Sequence, residues 1–189
     1  MSFTAAKMET WGGSTRDRLI HAPGQRLRAC NREKQMLLSN ILHPQSVRVF
    51  GTMSSKKRLF QELGEIASAV YGMGATDVID ALQERESLGP TGVGHGVALP
   101  HARLPGLDHV VGAFVRLDKP VEFGSVDRQP VDLVFALFAP QDSGVDHLKA
   151  LALVSRTLRD AGICEKLRAN SDPATLHAVL TESRNAEIA

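Results

Sequence analysis

The first residue whose type and position suggest chemistry is His101, which directly follows Pro100 at the end of a short apolar stretch, residues 97–99. Proline fixes its own φ and biases the preceding residue toward extended backbone. We therefore expect a strand with His101 at its carboxyl end, the edge at which α/β sheets bind ligands. A neutral imidazole can accept a group near pH 7 without first losing a proton. An ordinary surface-loop histidine is the alternative that this segment alone leaves open.

A glycine-rich segment precedes this histidine, with Gly92, Gly94 and Gly96 at alternate positions. Glycines adopt backbone conformations closed to other residues and let amide groups approach an anion. The segment is not a dinucleotide fingerprint, because it reads Gly-x-Gly-x-Gly and a predicted strand follows it where a helix is required. It also lacks the Lys-Ser/Thr pair of a P-loop. By itself, such a segment is usually only a turn.

A second histidine, His147, stands next to Asp146 at the start of a predicted helix over 144–161. The amides and dipole of a first helical turn favour a nearby anion, which a histidine there can hydrogen-bond. Taken alone, a solvated surface histidine is the simpler interpretation. A metal site built from His95, His101, His147 and a carboxylate is disfavoured, because the spacings match no zinc signature. No nucleophilic-serine elbow or paired-carboxylate pattern is present.

The elements that must position these histidines alternate between strands and helices. The periodicities predict strands at 47–50, 110–117 and 131–139, and helices at 59–70, from 76 to before Gly89, at 144–161 and at 173–182. The run 131–139 is apolar almost throughout, as expected of a strand covered on both faces. We therefore predict a single α/β domain: a mixed parallel/antiparallel sheet flanked by helices on both faces.

The net charge of +1 conceals an uneven distribution along the 189 residues. Residues 1–35 hold seven basic and three acidic side chains, whereas residues 36–189 hold 15 basic and 18 acidic ones. We expect 1–35 to be a disordered basic extension, 36–183 the working domain and 184–189 a tail. No run approaches the ~18 apolar residues of a membrane span, and the domain is not basic enough for nucleic acid. Two cysteines without a pairing pattern fit a reducing cytoplasm.

Three segments together resemble the signature of the enzyme IIA domains of the fructose/mannitol class, which belong to the bacterial phosphoenolpyruvate-dependent phosphotransferase system. The segments are Arg85-Glu86-Ser87, Thr91-Gly92-Val93-Gly94 and Gly96-Val97-Ala98-Leu99-Pro100-His101. The likeness runs from about residue 36 to residue 182. Within the class the chain looks most like the nitrogen-regulatory enzyme IIA, because it opens with the segment 38–42 and carries no fused permease or IIB domain.

The resemblance implies that His101 accepts a phosphoryl group from the phosphohistidine of the carrier protein HPr. His147 would assist as a second active-site histidine, and Arg85 would stabilise the charge on the phosphoryl group. The candidates for the loop around that group are Thr91, Gly92, Gly94 and Gly96. Transfer between histidines in this family requires neither a metal nor a cofactor.

The downstream partner stays open. The leading hypothesis is a cytoplasmic regulatory phosphocarrier, whose phosphorylation state controls its binding to a kinase or a transporter regulator. The alternative is a sugar-specific IIA unit that passes phosphate to a separate IIB for fructose or mannitol. A third hypothesis is a non-catalytic module that binds an anion in the glycine loop. For docking of HPr, we expect Val93, Leu104 and Pro105 to be exposed around His101.

Overall fold

The structure is a computed structural model and describes residues 36–182. A short 3₁₀ helix over Leu38–Asn40 leads into the first strand. The strands are β1 Leu42–Phe50, β2 Gly92–Gly94, β3 Val97–Ala98, β4 His101–Leu104, β5 Val111–Val121 and β6 Val131–Pro140. The helices are α1 Lys56–Tyr71, α2 Ala75–Ser87, α3 Val145–Arg159, α4 Ala161–Ala169 and α5 Pro173–Glu182. The predicted extension 1–35 and tail 184–189 lie outside the described residues.

Strand β6 is the centre of the sheet, whose order is β1-β5-β6-β3-β2. It pairs antiparallel with β5 and parallel with both β3 and β4, which follow one another along its edge. Nearly every side chain of β6 is buried, because helices cover both faces. Helices α1 and α2 enclose one core cluster, and α3, α4 and α5 enclose the other. The predicted mixed sheet flanked by helices is therefore confirmed.

Capping residues that the sequence offers set the ends of helix α1. Ser55 is the N-cap, and its hydroxyl accepts a hydrogen bond from the backbone N–H of Arg58 at 3.2 Å. Gly72 ends the helix in a left-handed conformation with φ of 70°, a backbone geometry that glycine adopts without steric cost. These ends hold the helix so that Leu59 and Leu63 are completely buried against the sheet.

Two predicted boundaries are wrong for identifiable reasons. His101 does not end a strand: it begins β4, which continues along β6 after Leu99 and Pro100 interrupt β3. The predicted helix over 144–161 ends at Arg159, because Asp160 takes an extended ψ of 113°. The side chain of Asp160 then caps α4, a helix that the sequence pattern did not predict, by accepting from the N–H of Ile163 at 3.0 Å.

The turn between β2 and β3 holds three consecutive left-handed residues: Gly94, His95 and Gly96, with φ of 99°, 56° and 77°. Only His95 carries a Cβ, which makes this conformation unfavourable for it. We expect His95→Asn to raise the free energy of unfolding by about 0.5–1 kcal/mol and Tm by about 2 °C.

Thermal unfolding followed by circular dichroism measures this effect, and Gly96→Ala is the matched control. A Cβ at Gly96 would lie 2.7 Å from both Arg168 Nη2 and Asp132 Oδ1, so this variant should be less stable. An unchanged or lower Tm for His95→Asn would contradict the strain at residue 95.

Candidate active site

The ring of His101 is held at both nitrogens. Its Nδ1 lies 2.9 Å from the carbonyl oxygen of Leu99, and Arg85 Nε lies 3.0 Å from its Nε2. A carbonyl oxygen can only accept and an arginine N–H can only donate, so the two partners assign the proton to Nδ1 and the lone pair to Nε2. The backbone beneath the ring is fixed as well, because the carbonyl of Pro100 accepts from the N–H of Leu137 at 2.9 Å. The ring nitrogen that carries the lone pair is therefore Nε2.

Arg85 reaches this nitrogen from the last turn of α2, which packs against β4. Its Nη1 also donates to the carbonyl oxygen of Gly89 at 3.2 Å, so one guanidinium joins the ring of His101 to the loop that follows α2. Because Arg85 Nε–H occupies the lone pair of Nε2, the arginine must leave that position before the nitrogen can form a bond to another atom.

His147 lies beside His101, with ring centroids 5.4 Å apart and the planes inclined by 48°. It is only 5% exposed, so the expectation of a solvated surface histidine is wrong: within the first turn of α3, His147 points inward while Val145 and Leu148 are exposed. Its Nδ1 is buried and has no hydrogen-bond partner among the described residues. Burial, with smaller contributions from His101, Arg103 and Arg85, lowers the pKa of His147 to about 4. The imidazole is therefore neutral at physiological pH.

An open pocket of about 500 Å³ surrounds the two histidines. Its lining residues are Ala81, Glu84, Arg85, Leu88, His101, Ala102, Arg103, His147, Leu148 and Leu151. Arg103 shares a face of β4 with His101, because side chains alternate along a strand. Burial is also the main cause that lowers the pKa of His101, and Arg85 acts in the same direction. Two neutral imidazoles beside two guanidinium groups suit a dianionic group better than a cation.

The structure does not bring the predicted loop candidates into this pocket. Thr91 is buried and bonded to Glu86, while Gly92 allows close approach of Ser125, to which a Cβ there would come within 3 Å. Gly94 and Gly96 form the hairpin turn described above. His95 lines a different pocket with Arg168, and it does not join His101 and His147. Within residues 36–182, no group of three His, Cys, Asp or Glu side chains is arranged to hold a metal ion.

Sequence reasoning missed the apolar residues around the pocket. Leu88 and Leu148 are 80% and 64% exposed at its rim, whereas Leu104, which we expected to be exposed, is buried. The burial of Leu104 follows from the alternation of side chains along β4. His101 and Arg103 point to one face of the strand, so Leu104 points to the opposite face, into the core. Val93 is exposed, as expected, but it lines the pocket of His95.

The low pKa of His147 makes stability depend on pH. Below the ordinary value of 6.5 the unfolded chain binds a proton at this residue and the folded protein does not, so stability falls as pH decreases from 6.5 to about 4. We expect a loss of about 2–3 kcal/mol across this window from His147 alone. Urea unfolding of the wild type and His147→Leu at several pH values measures it, since leucine does not titrate. Equal losses in both proteins would contradict the buried, neutral state of His147.

Comparison with known proteins gives the family to which this fold belongs. Residues 40–183 match the family "Phosphoenolpyruvate-dependent sugar phosphotransferase system, EIIA 2", and the chain belongs to this family. No helix in residues 36–182 is both long and apolar enough to cross a membrane.

Within this family the chain is similar to nitrogen regulatory proteins. It is 46% identical over 145 residues to the nitrogen regulatory protein of Bradyrhizobium diazoefficiens, covering 77% of this chain and 95% of the relative. The crystal structure of nitrogen regulatory protein IIA-Ntr from Neisseria meningitidis superimposes with a TM-score of 0.72 at 35% identity, covering 76% of this chain and 99% of that one. IIA mannitol from Escherichia coli shares the fold at 20% identity, with a TM-score of 0.62 over 73% of this chain and 97% of its own.

Proposed function

We propose that this protein is a phosphocarrier in which Nε2 of His101 accepts a phosphoryl group from the phosphohistidine of an HPr-type carrier. The observation that carries the proposal is the state of the His101 ring. Leu99 holds the proton on Nδ1, Nε2 carries the lone pair, and a guanidinium and a second neutral histidine stand beside it. Family membership supports the same assignment.

In this step the phosphoryl group passes from the imidazole of the donor to the imidazole of His101. The lone pair of His101 Nε2 attacks phosphorus, and the P–N bond of the donor breaks with its electron pair returning to the donor ring. The proton stays on Nδ1, where it is hydrogen-bonded to the Leu99 carbonyl, so His101 needs no external base. Because phosphoryl transfer requires little covalent chemistry from the protein, catalysis consists of positioning the reactants and stabilising the charge on the equatorial oxygens.

Arg85 and His147 supply that stabilisation. Arg85 leaves Nε2 as phosphorus approaches and turns its donors to the equatorial oxygens. These charged oxygens are stronger hydrogen-bond acceptors than the neutral ring nitrogen that the arginine leaves. His147 stays neutral and donates one ring N–H to an equatorial oxygen. Its buried Nδ1 has no hydrogen-bond partner in the described chain and is therefore not committed to another contact.

Intact-mass spectrometry tests the proposal. Incubation with phosphoenolpyruvate, enzyme I and HPr should add the mass of one phosphoryl group, and mild acid should remove it, as expected of phosphohistidine. Absence of the added group, under conditions in which HPr itself is phosphorylated, would contradict the assignment.

The exposed Leu88 and Leu148 on either side of the pocket form the apolar contact for the carrier. Apolar residues at the centre of an interface contribute more binding free energy than residues at its rim. Leu88→Asp should therefore raise the carrier concentration that gives half the maximal rate about ten-fold, a loss of about 1.4 kcal/mol of binding free energy. Initial rates at varied HPr measure this. Val126→Asp is the control, since Val126 is 67% exposed but lies outside the pocket, and equal effects of the two variants would contradict docking at Leu88.

The downstream role that we propose is regulation by phosphorylation-dependent partner binding, because the similar proteins with high coverage are named nitrogen regulatory proteins. The second candidate is phosphate transfer to a IIB protein for sugar uptake, which the family description and the shared fold of IIA mannitol favour. Mixing the phosphorylated protein with fructose- or mannitol-specific IIB separates the two. Rapid loss of phosphate would favour sugar transport, and retention of phosphate with a changed affinity for a regulatory target would favour regulation.

A further inference from the structure

Glu86, the neighbour of Arg85 in the last turn of α2, is a nearly buried carboxylate with three donors. Its side chain is 9% exposed, and Lys56 Nζ lies 2.8 Å from its Oε1. The backbone N–H of Thr91 donates to its Oε2 at 3.1 Å, and the hydroxyl of Thr91 donates to the same oxygen. Lys56 also stands 4.5 Å above the ring of Phe123, so its position is fixed independently. A buried charge held by so many partners has one defined geometry.

Three hydrogen bonds, linked through the backbone of Thr91 and of Leu99, connect this carboxylate to the ring of His101. Glu86 accepts from the N–H of Thr91, and the carbonyl of Thr91 accepts from the N–H of Leu99 at 2.9 Å. The carbonyl of Leu99 then accepts from Nδ1 of His101 at 2.9 Å. Adjacent residues of α2 thus act on opposite sides of one imidazole: Arg85 bonds Nε2 directly, and Glu86 acts on Nδ1 through the backbone.

We propose that Glu86 is a positioning residue for phosphoryl acceptance: through Thr91 and Leu99 it holds the carbonyl that keeps the proton of His101 on Nδ1 and the lone pair on Nε2. The proposal rests on the proposed function, because only a reaction at Nε2 gives this tautomer a purpose. Lys56 neutralises the carboxylate and keeps it in place. Without Glu86, the segment 87–91 loses its anchor on α2, the Leu99 carbonyl loses its fixed position, and the ring can exchange to the tautomer protonated at Nε2, which cannot attack phosphorus.

A purely structural role for Glu86 makes a different prediction. Loss of an ion pair that only joins α2 to α1 would lower Tm and leave the ring of His101 unchanged. The tautomer of His101 is therefore the discriminating observable, and ¹⁵N NMR of the histidine side chains reports it in the protein without phosphate.

The variants are Glu86→Leu, which is similar in size and has no acceptor, Glu86→Gln, which keeps one acceptor oxygen, and Thr91→Val, which keeps the backbone N–H. The wild type and Thr91→Val should show the Nδ1-protonated ring. Glu86→Leu should show a mixture of tautomers and accept phosphate about ten-fold more slowly at saturating carrier, with Glu86→Gln intermediate. Asp80→Asn, an exposed charge on the same helix, is the matched control and should behave as the wild type.

An unchanged tautomer in Glu86→Leu, with only a lower Tm, would overturn the proposal. Where Glu86→Leu does not fold, Glu86→Gln decides: a greater share of the Nε2-protonated ring than in the wild type supports the role, and an unchanged ratio overturns it. The two failures are distinguishable. If the wild type takes no phosphoryl group the proposed function fails, whereas the tautomer measurement on the unphosphorylated protein still tests what Glu86 holds.

Discussion

Replacing His101 by alanine is expected to abolish phosphorylation by phospho-HPr completely. Nε2 of His101 is the nitrogen whose lone pair is exposed to the open pocket once Arg85 moves away, and alanine offers no nucleophile in its place. His147 cannot substitute, because its ring is buried with only 5% exposed. Intact-mass spectrometry after incubation with the phosphorylated carrier should show the unmodified protein alone.

The matched control for this experiment is His147→Ala. It removes the neighbouring imidazole and leaves the acceptor, so it should be phosphorylated to the same extent but about 10²-fold more slowly, the effect of losing one preorganised donor. A phosphoryl group that persists in His101→Ala, or a rate for His147→Ala equal to that of the wild type, would contradict the roles proposed for these residues.

Replacing Arg85 by glutamine should slow phosphoryl acceptance by about 10²–10³-fold without preventing folding. The guanidinium donates to Nε2 of His101, the nitrogen proposed to accept the phosphoryl group, and its donors would turn to the phosphoryl oxygens as phosphorus arrives. Since Arg85 also lowers the pKa of His101, the variant should raise that pKa and protonate part of the acceptor below neutral pH. The rate deficit should therefore grow as pH decreases, and rapid-quench kinetics between pH 6 and 8 would measure it.

Two further variants make this prediction specific. Arg85→Lys should remain slow, because an ammonium cannot donate in the planar geometry that a phosphoryl group requires. Arg156→Gln removes an exposed arginine on α3 outside the pocket and should react as the wild type does. A wild-type rate for Arg85→Gln would mean that Arg85 only covers the nucleophile in the resting protein.

The elements predicted well from sequence are those with a continuous signal. The apolar run at 131–139 is β6, and the predicted second helix differs from α2 by about one residue at each end. The elements missed depend on single residues. Helix α4 buries only Cys164 and Leu167, too few for a helical pattern, and it exists as a separate helix because Asp160 breaks and then caps the chain.

The candidate active site shows the same contrast between strong local patterns and contacts that depend on the fold. The position of His101 after Pro100 marked it as unusual, but the sequence could not show how its two nitrogens are held. The Leu99 carbonyl is only two residues away, whereas the contact with Arg85 joins residues 16 positions apart. The burial of His147 depends on how α3 packs, which a first-turn position does not determine. The three alternating glycines were only a weak signal for anion binding, and their small size instead allows close packing against Ser125, Asp127 and the Arg168–Asp132 pair.

The most direct test of the whole account is the position of phosphorus on the phosphorylated protein. Labelling the histidines with ¹⁵N and recording phosphorus–nitrogen coupling after reaction with phospho-HPr identifies both the residue and the ring nitrogen. We predict a single phosphorylated nitrogen, Nε2 of His101, with the proton retained on Nδ1. Phosphorus on Nδ1 of His101, or on His147 or His95, would contradict the tautomer, the role of Arg85 and the mechanism derived from them.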